Sequence, residues 1–219
     1  MSLSDRKERE KEQRRTDILD AAEQLFFANK FDDVSMDDIA KDVELSKATL
    51  YLYFKNKESL YFAIMQRGLR IMRDRFLEAV NDDMWGLEKI SALCHAFFKY
   101  CQDHPEYYQL MCDARSRRFD MGQVEGMEEQ MVTANEIMDC IYRSVKDGIA
   151  DGTLRKGLDP IKTAIYIMAN CENIMHPDVN VSWFMGGNDI RREEYLEHSL
   201  GLLVYAISGS DEKLSNKAV

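Results

Sequence analysis

The stretch Ser46-Lys47-Ala48-Thr49-Leu50-Tyr51-Leu52-Tyr53-Phe54 carries the residue types best suited to recognition chemistry. Leu50 and Phe54, four residues apart, anchor one face of a helical segment and so turn Lys47, Ala48, Thr49, Tyr51 and Tyr53 outward. These types suit a DNA groove. A lysine reaches a phosphate or a guanine edge, a small alanine admits close approach and meets a thymine methyl, and the hydroxyls of Thr49 and both tyrosines fit phosphate oxygens. Lys57 adds charge at the start of the next helix, where backbone N–H groups favour an anion. Between 41 and 57, Lys41, Lys47, Lys55 and Lys57 stand against Asp42 and Glu44, a thin basic patch in a chain of formal charge −10. With 39 Asp+Glu against 29 Lys+Arg, a protein coated in basic charge is excluded, and any nucleic-acid contact is confined to a local patch.

Other groupings are weaker. There is no Gly-rich phosphate loop, nucleophile elbow or metal dyad, so no catalytic residue and no cofactor is expected. Cys94 and Cys101, seven apart, share a helix face with His95 and His104 nearby, but the tight Cys/His pairs that hold zinc are missing and no metal is expected. The five cysteines read as reduced core thiols, with thiol oxidation as a regulatory alternative. Arg115-Ser116-Arg117-Arg118 suits an anion or a second DNA contact, and equally a solvated face.

The elements that position the motif are helical. Three prolines and eleven glycines punctuate 219 residues, and long stretches repeat apolar residues at i, i+3 and i+4, so the fold class expected is all-α. Residues 1–15 mix six Lys/Arg with four Asp/Glu and read as a mobile charged arm. Helix 1 starts at Thr16 and ends near Asn29. Ser35-Met36-Asp37-Asp38 has the form of a capping box opening a second helix, and Ser46 caps a third after a tight turn, which is helix-turn-helix geometry. Asn56 opens a long connecting helix through Leu60, Ile64, Leu69, Met72, Phe76 and Val80. Further helices are expected at 86–102, 105–118, 125–150, 159–175 and 191–208, and 176–189 is left irregular. No stretch is apolar for the ~20 residues that cross a bilayer, and the N-terminal segment lacks a secretory apolar core, so no membrane contact and a cytoplasmic location are expected.

From Ile18 to Leu60 the sequence resembles the TetR family of transcriptional regulators. The resemblance rests on Ile18-Leu19-Asp20-Ala21-Ala22, Leu25-Phe26, Phe31, Val34-Ser35-Met36-Asp37-Asp38-Ile39-Ala40, Leu45 through Phe54, and Lys57-Glu58-Ser59-Leu60. It implies a three-helix DNA-binding head at 16–58, and a helical effector-binding and dimerisation domain at 59–219 that includes the connecting helix. It also implies that Lys47 and Ala48 approach bases while Ser35, Thr49, Tyr51, Tyr53 and Lys57 hold phosphates. Positions 30 and 44 are Lys and Glu where the family often has glycine, so a left-handed backbone there would be strained, with Asn29 as the residue to absorb it at the first turn.

Thirteen methionines fit either plain core packing or a pliable pocket. If there is a pocket, its expected lining is Met72, Phe97, Cys101, Tyr108, Met111, Met138 and Met168, with Glu172 as an acid for a cationic group, although Glu172 also suits a dimer face or water. The last helix is apolar nearly all round, and together with Ile161, Ile165, Met168 and Met175 it suits an intersubunit four-helix bundle or the centre of a monomer core. The function expected is a homodimeric regulator, most often a repressor in this family, on a near-palindromic double-stranded operator. A small apolar or aromatic effector releases it; the alternative is control by thiol oxidation or a protein partner.

Overall fold

In the computed structural model, residues 3–117, 119 and 124–209 are described. They form an all-α chain: α1 Leu3–Ala28, α2 Met36–Asp42, α3 Lys47–Leu50, α4 Lys57–Ala79, α5 Gly86–Asp103, α6 Pro105–Ser116, α7 Met127–Asp151, α8 Pro160–Met175, α9 Val179–Gly187 and α10 Arg192–Ile207. One 3-10 turn, Phe31–Asp33, separates α1 from α2. Among the described residues the extended backbone pairs only as an isolated bridge, Leu154 with Ser208.

The helix starts follow the capping chemistry of the sequence. Ser35 Oγ accepts from the Asp38 N–H while the Asp38 carboxylate accepts from the Ser35 N–H, completing the capping box of α2. Ser46 Oγ accepts from the Thr49 N–H, Asn56 Oδ1 from the Ser59 N–H, and Asp159 caps α8.

Two segments differ from the sequence expectation. Residues 3–15, read as a mobile arm, continue α1 as helix. A segment joined to a buried helix needs no nucleation of its own, and no glycine or proline interrupts it. Its side chains also add pairs one turn apart, Arg6 to Glu10 at 2.9 Å and Gln13 to Asp17 at 2.8 Å. The stretch 176–189, read as irregular, contains α9, because Asp178 accepts from the N–H groups of Asn180 and Val181 and starts a helix just after Pro177.

The chain forms two compact units, one from the described residues up to Arg70 with His104–Thr133, the other from Ile71–Asp103 with the described residues from Ala134 onward. In the first, Ile18, Ala22, Ile39, Leu50, Phe54, Leu60 and Ile64 lie fully inside. Arg67 on α4 binds both Asp20 (2.7 Å) and Glu23 (3.0 Å) of α1, and the Tyr107 hydroxyl of α6 donates to Glu23 at 2.7 Å. This pairing raises the Arg67 pKa against its burial, while burial and the Glu23 carboxylate push the Tyr107 hydroxyl up. In the second unit Phe76, Ile90, Leu93, Phe97, Ile141, Val145 and Ile167 form the core. There α5 and α7 meet through Gly86, where an added Cβ would fall 2.0 Å from the Gly148 nitrogen. No described helix is long and apolar enough to cross a membrane.

Candidate nucleic-acid interface

The turn between α2 and α3 is closed by the Leu45 N–H donating to the Ala40 carbonyl at 2.8 Å. Glu44 makes the turn with φ of +54°, the left-handed conformation that strains a residue with a Cβ. The strain expected at position 44 is therefore present. At the first turn Lys30 has an ordinary φ of −67°, and Asn29 does not take a positive φ either. Its amide instead donates to the Leu25 carbonyl at 2.9 Å and closes α1.

After α3 the chain continues in tight turns, with Phe54 N–H donating to the Leu50 carbonyl at 3.1 Å, so the surface from Lys47 to Phe54 stays coherent. Leu50 and Phe54 are buried, as the spacing requires. Lys47, Ala48 and Tyr51 are exposed, and Thr49 and Tyr53 are half-buried. Lys47 Nζ pairs with the Asp37 carboxylate at 2.9 Å, and that hydrogen bond raises the lysine pKa. The pair ties the first turn of α3 to that of α2, where Ser35 lies exposed. Thr49 Oγ1 sits 2.7 Å from Ser46 Oγ. Leu52, absent from the expected set, is 80% exposed and offers an apolar contact of the kind a thymine methyl accepts. Its place midway between the two inward anchors was the signal for it.

Lys57 is held by the protein itself. Its ammonium donates to the carbonyls of Phe31 (2.7 Å) and Val34 (2.8 Å) and stands 4.1 Å over the Phe31 ring. Two of its three donors thus hold the start of α4 against the turn before α2. Arg117 covers the same ring at 5.1 Å and pairs with Asp32 at 2.7 Å, a hydrogen bond that lowers the Asp32 pKa. That arginine stitches protein to protein, Arg115 is exposed, and Arg118 lies outside the described residues.

The expected effector residues fall in both units. Tyr108 and Met111 belong to the first; Met72, Phe97, Cys101, Met138, Met168 and Glu172 belong to the second. Within the second unit Phe97 and Met168 border a cavity of about 10 Å³ that Phe76, Ile90, Leu93 and Ile141 also line. Phe76 and Ile141 were absent from the expected lining because helical periodicity marks core residues without separating those that face a void. Among the described residues no three His, Cys, Asp or Glu side chains gather as a metal site.

A capped helix, a tight turn and a short second helix in a segment anchored by buried Leu50 and Phe54, with Lys47, Ala48 and Tyr51 exposed, define a helix-turn-helix DNA-binding head. The chain matches the description "Bacterial regulatory proteins, tetR family" over residues 18–64 and "Tetracyclin repressor-like, C-terminal domain" over residues 87–207. It is 27% identical to the HTH-type transcriptional regulator YhgD of Bacillus subtilis over 151 residues, covering 69% of this chain and 76% of that one. It is 25% identical to the fatty acid metabolism regulator protein of the same organism, covering 65% and 71%. Among solved structures, AibR in complex with isovaleryl coenzyme A and operator DNA aligns with a TM-score of 0.64 at 21% identity, over 87% of this chain and 98% of that one. A tetR-family regulatory protein from Rhodococcus RHA1 aligns at 0.67 with 17% identity, over 90% and 98%. The chain belongs to the tetR family, whose members are DNA-binding transcriptional regulators and not enzymes.

Proposed function

We propose that two copies of this chain bind a near-palindromic operator in the cytoplasm as a repressor, and that a small apolar or aromatic effector releases them. The observation that carries the DNA half is the exposed surface of Lys47, Ala48, Tyr51 and Leu52 on buried Leu50 and Phe54. In this reading Lys47 and Ala48 meet base edges, while Ser35, Thr49, Tyr51, Tyr53 and the third donor of Lys57 hold phosphates. Residues 16–58 serve as the DNA head, and 59–219 as the effector-binding and dimerisation domain. The dimer half is supported by apolar side chains left in water on two helices that pack on each other, Ile161, Ile165 and Tyr166 of α8 and Leu202 and Tyr205 of α10. A four-helix bundle between copies covers them.

The effector reading rests on the apolar cavity of the second unit. At about 10 Å³ the cavity has room for roughly one water, so a ligand of effector size requires α5, α7 and α8 to part. A ligand that stabilises the parted arrangement needs only ~1–3 kcal/mol of coupling to lower DNA affinity roughly 5- to 150-fold. The similarity to AibR, solved with an acyl thioester, and to a fatty acid metabolism regulator suggests acyl chains as the first ligands to try.

Thiol oxidation is the second reading, because Cys94 and Cys171 place their sulfurs 3.5 Å apart. Their mutual hydrogen bond and burial push the Cys94 thiol up, which keeps it protonated and slow toward oxidants. Titrating a protein–operator complex with acyl thioesters and aromatic acids, and separately with a thiol oxidant, distinguishes the readings. Release by an acyl or aromatic ligand while the thiols stay reduced is the expected result. Release by the oxidant alone, lost in a C94S/C171S variant, would replace the effector with a thiol switch.

A further inference from the structure

The extension of α1 beyond the head carries a basic face that is exposed among the described residues. Lys7, Lys11 and Arg14 recur at the i, i+4, i+7 spacing of one helix face, and the next step is Ile18, fully buried in the head. The stripe therefore prolongs, beyond the core, the line of α1 that carries buried Ile18. Where that face leaves the protein core its residues change from apolar to cationic, so it is built for a polyanion and not for a second protein core.

Of the acids of the segment, Glu10 borders the stripe, about 40° from Arg14 and 60° from Lys7, and the others lie farther round the helix. Glu10 holds Arg6 at 2.9 Å, and Asp17 takes Gln13 at 2.8 Å and Arg14 loosely at 3.9 Å. Glu8, Glu12 and Asp5 lie about 90°, 130° and 150° from the middle of the stripe. No ion pair among the described residues engages Lys7 or Lys11.

A cation–π contact fixes where the stripe starts. The Arg15 guanidinium lies 4.6 Å over the ring of Phe54, the residue that closes the recognition segment, and exposed Lys55 follows. Lys55, Arg15, Lys11 and Lys7 thus run outward from the end of the DNA-reading surface. From Arg15 to Lys7 the helix advances about 12 Å, the length of three to four base pairs.

We propose that the Lys7, Lys11 and Arg14 face binds the phosphate backbone of the same duplex just outside each half-site. The inference rests on the DNA reading above and extends it: these contacts add affinity and salt dependence without adding base preference. Each neutralised phosphate contributes about 0.9 to the slope of log affinity against log salt.

The test uses the full chain and duplexes enriched by it from a random pool, rebuilt with flanks of either two or twelve base pairs. K7A/K11A/R14A is expected to bind the long-flank duplex roughly ten- to hundredfold more weakly near 100 mM salt, with a slope per subunit smaller by about 2–3, and to select the same bases. On the short-flank duplex it should match the unmodified protein. The variant K7E/E8K/K11E/E12K keeps composition and net charge but moves two of the three cations about 100° around the helix; it should lose the flank dependence as well. Equal losses on both duplexes, no loss on either, or normal long-flank binding by the charge-swapped variant would overturn the proposal while leaving DNA reading intact. Failure of the unmodified protein to enrich any duplex would overturn both.

Discussion

Replacing Glu44 with glycine isolates the strain in the helix-turn-helix. Glu44 is exposed and holds φ at +54°, so its side chain contributes no core packing and its backbone bears the cost. A left-handed conformation costs a residue with a Cβ about 1–2 kcal/mol, and glycine returns about 0.5–1 kcal/mol through the greater freedom of its unfolded chain. The net expectation for E44G is a gain of about 0.5–1 kcal/mol, or roughly 1–4 °C in Tm for a chain of this size. E44Q removes the same charge and keeps the strain, so its Tm should not rise. Both variants remove a negative charge beside Lys47 and should tighten DNA binding by a similar factor of a few. Thermal denaturation and fluorescence anisotropy on one duplex measure both effects. If E44Q stabilises as much as E44G, charge and not backbone strain governs the turn, and the reasoning fails.

Four further outcomes are expected. K57M strips two charge-assisted donors from the Phe31 and Val34 carbonyls and should cost about 2–4 kcal/mol in chemical denaturation, whereas a solely DNA-contacting lysine would leave stability unchanged. G86A drives a methyl into the Gly148 backbone, so it should destabilise by at least about 2–3 kcal/mol or prevent folding; a neutral result would contradict the close approach of α5 and α7. Arg117 lowers the pKa of Asp32, Ser35 that of Asp38, and Arg75 with Lys99 that of Asp103. Carboxyls depressed in the fold stabilise it above their ordinary values and lose that contribution as pH falls through the depressed ones, so Tm should fall below about pH 4; a fall beginning near pH 6 would point to histidines. K47A should relax base preference at one operator position, while Y51F should weaken all sequences alike, as shown by selection with each variant; identical profiles would remove the base-reading role of Lys47.

Much of this was legible because capping and burial are local. Ser35 with Asp38, Ser46 with Thr49, and Asn56 with Ser59 are contacts three residues apart, so sequence spacing fixes where α2, α3 and α4 begin. The inward positions of Leu50 and Phe54 follow from spacing in the same way. What escaped depends on partners distant in sequence or on helix continuity. That Lys57 serves Phe31 and Val34 needs a contact across 26 residues, which no periodicity encodes. The helical state of 3–15 depends on the buried segment after it, because composition alone describes the segment in isolation. Met72, Phe97 and Met168 were recognisable as core, but their division from Tyr108 and Met111 into separate units is set by how helices pack.

Selection of duplexes from a random DNA pool by the purified chain, at low and near-physiological salt, tests the central claim most directly. The account predicts a two-fold symmetric motif with half-sites about one helical turn apart, roughly 34 Å, enriched strongly at low salt and less at higher salt. An enriched motif without two-fold symmetry, or no enrichment even at low salt, would contradict it.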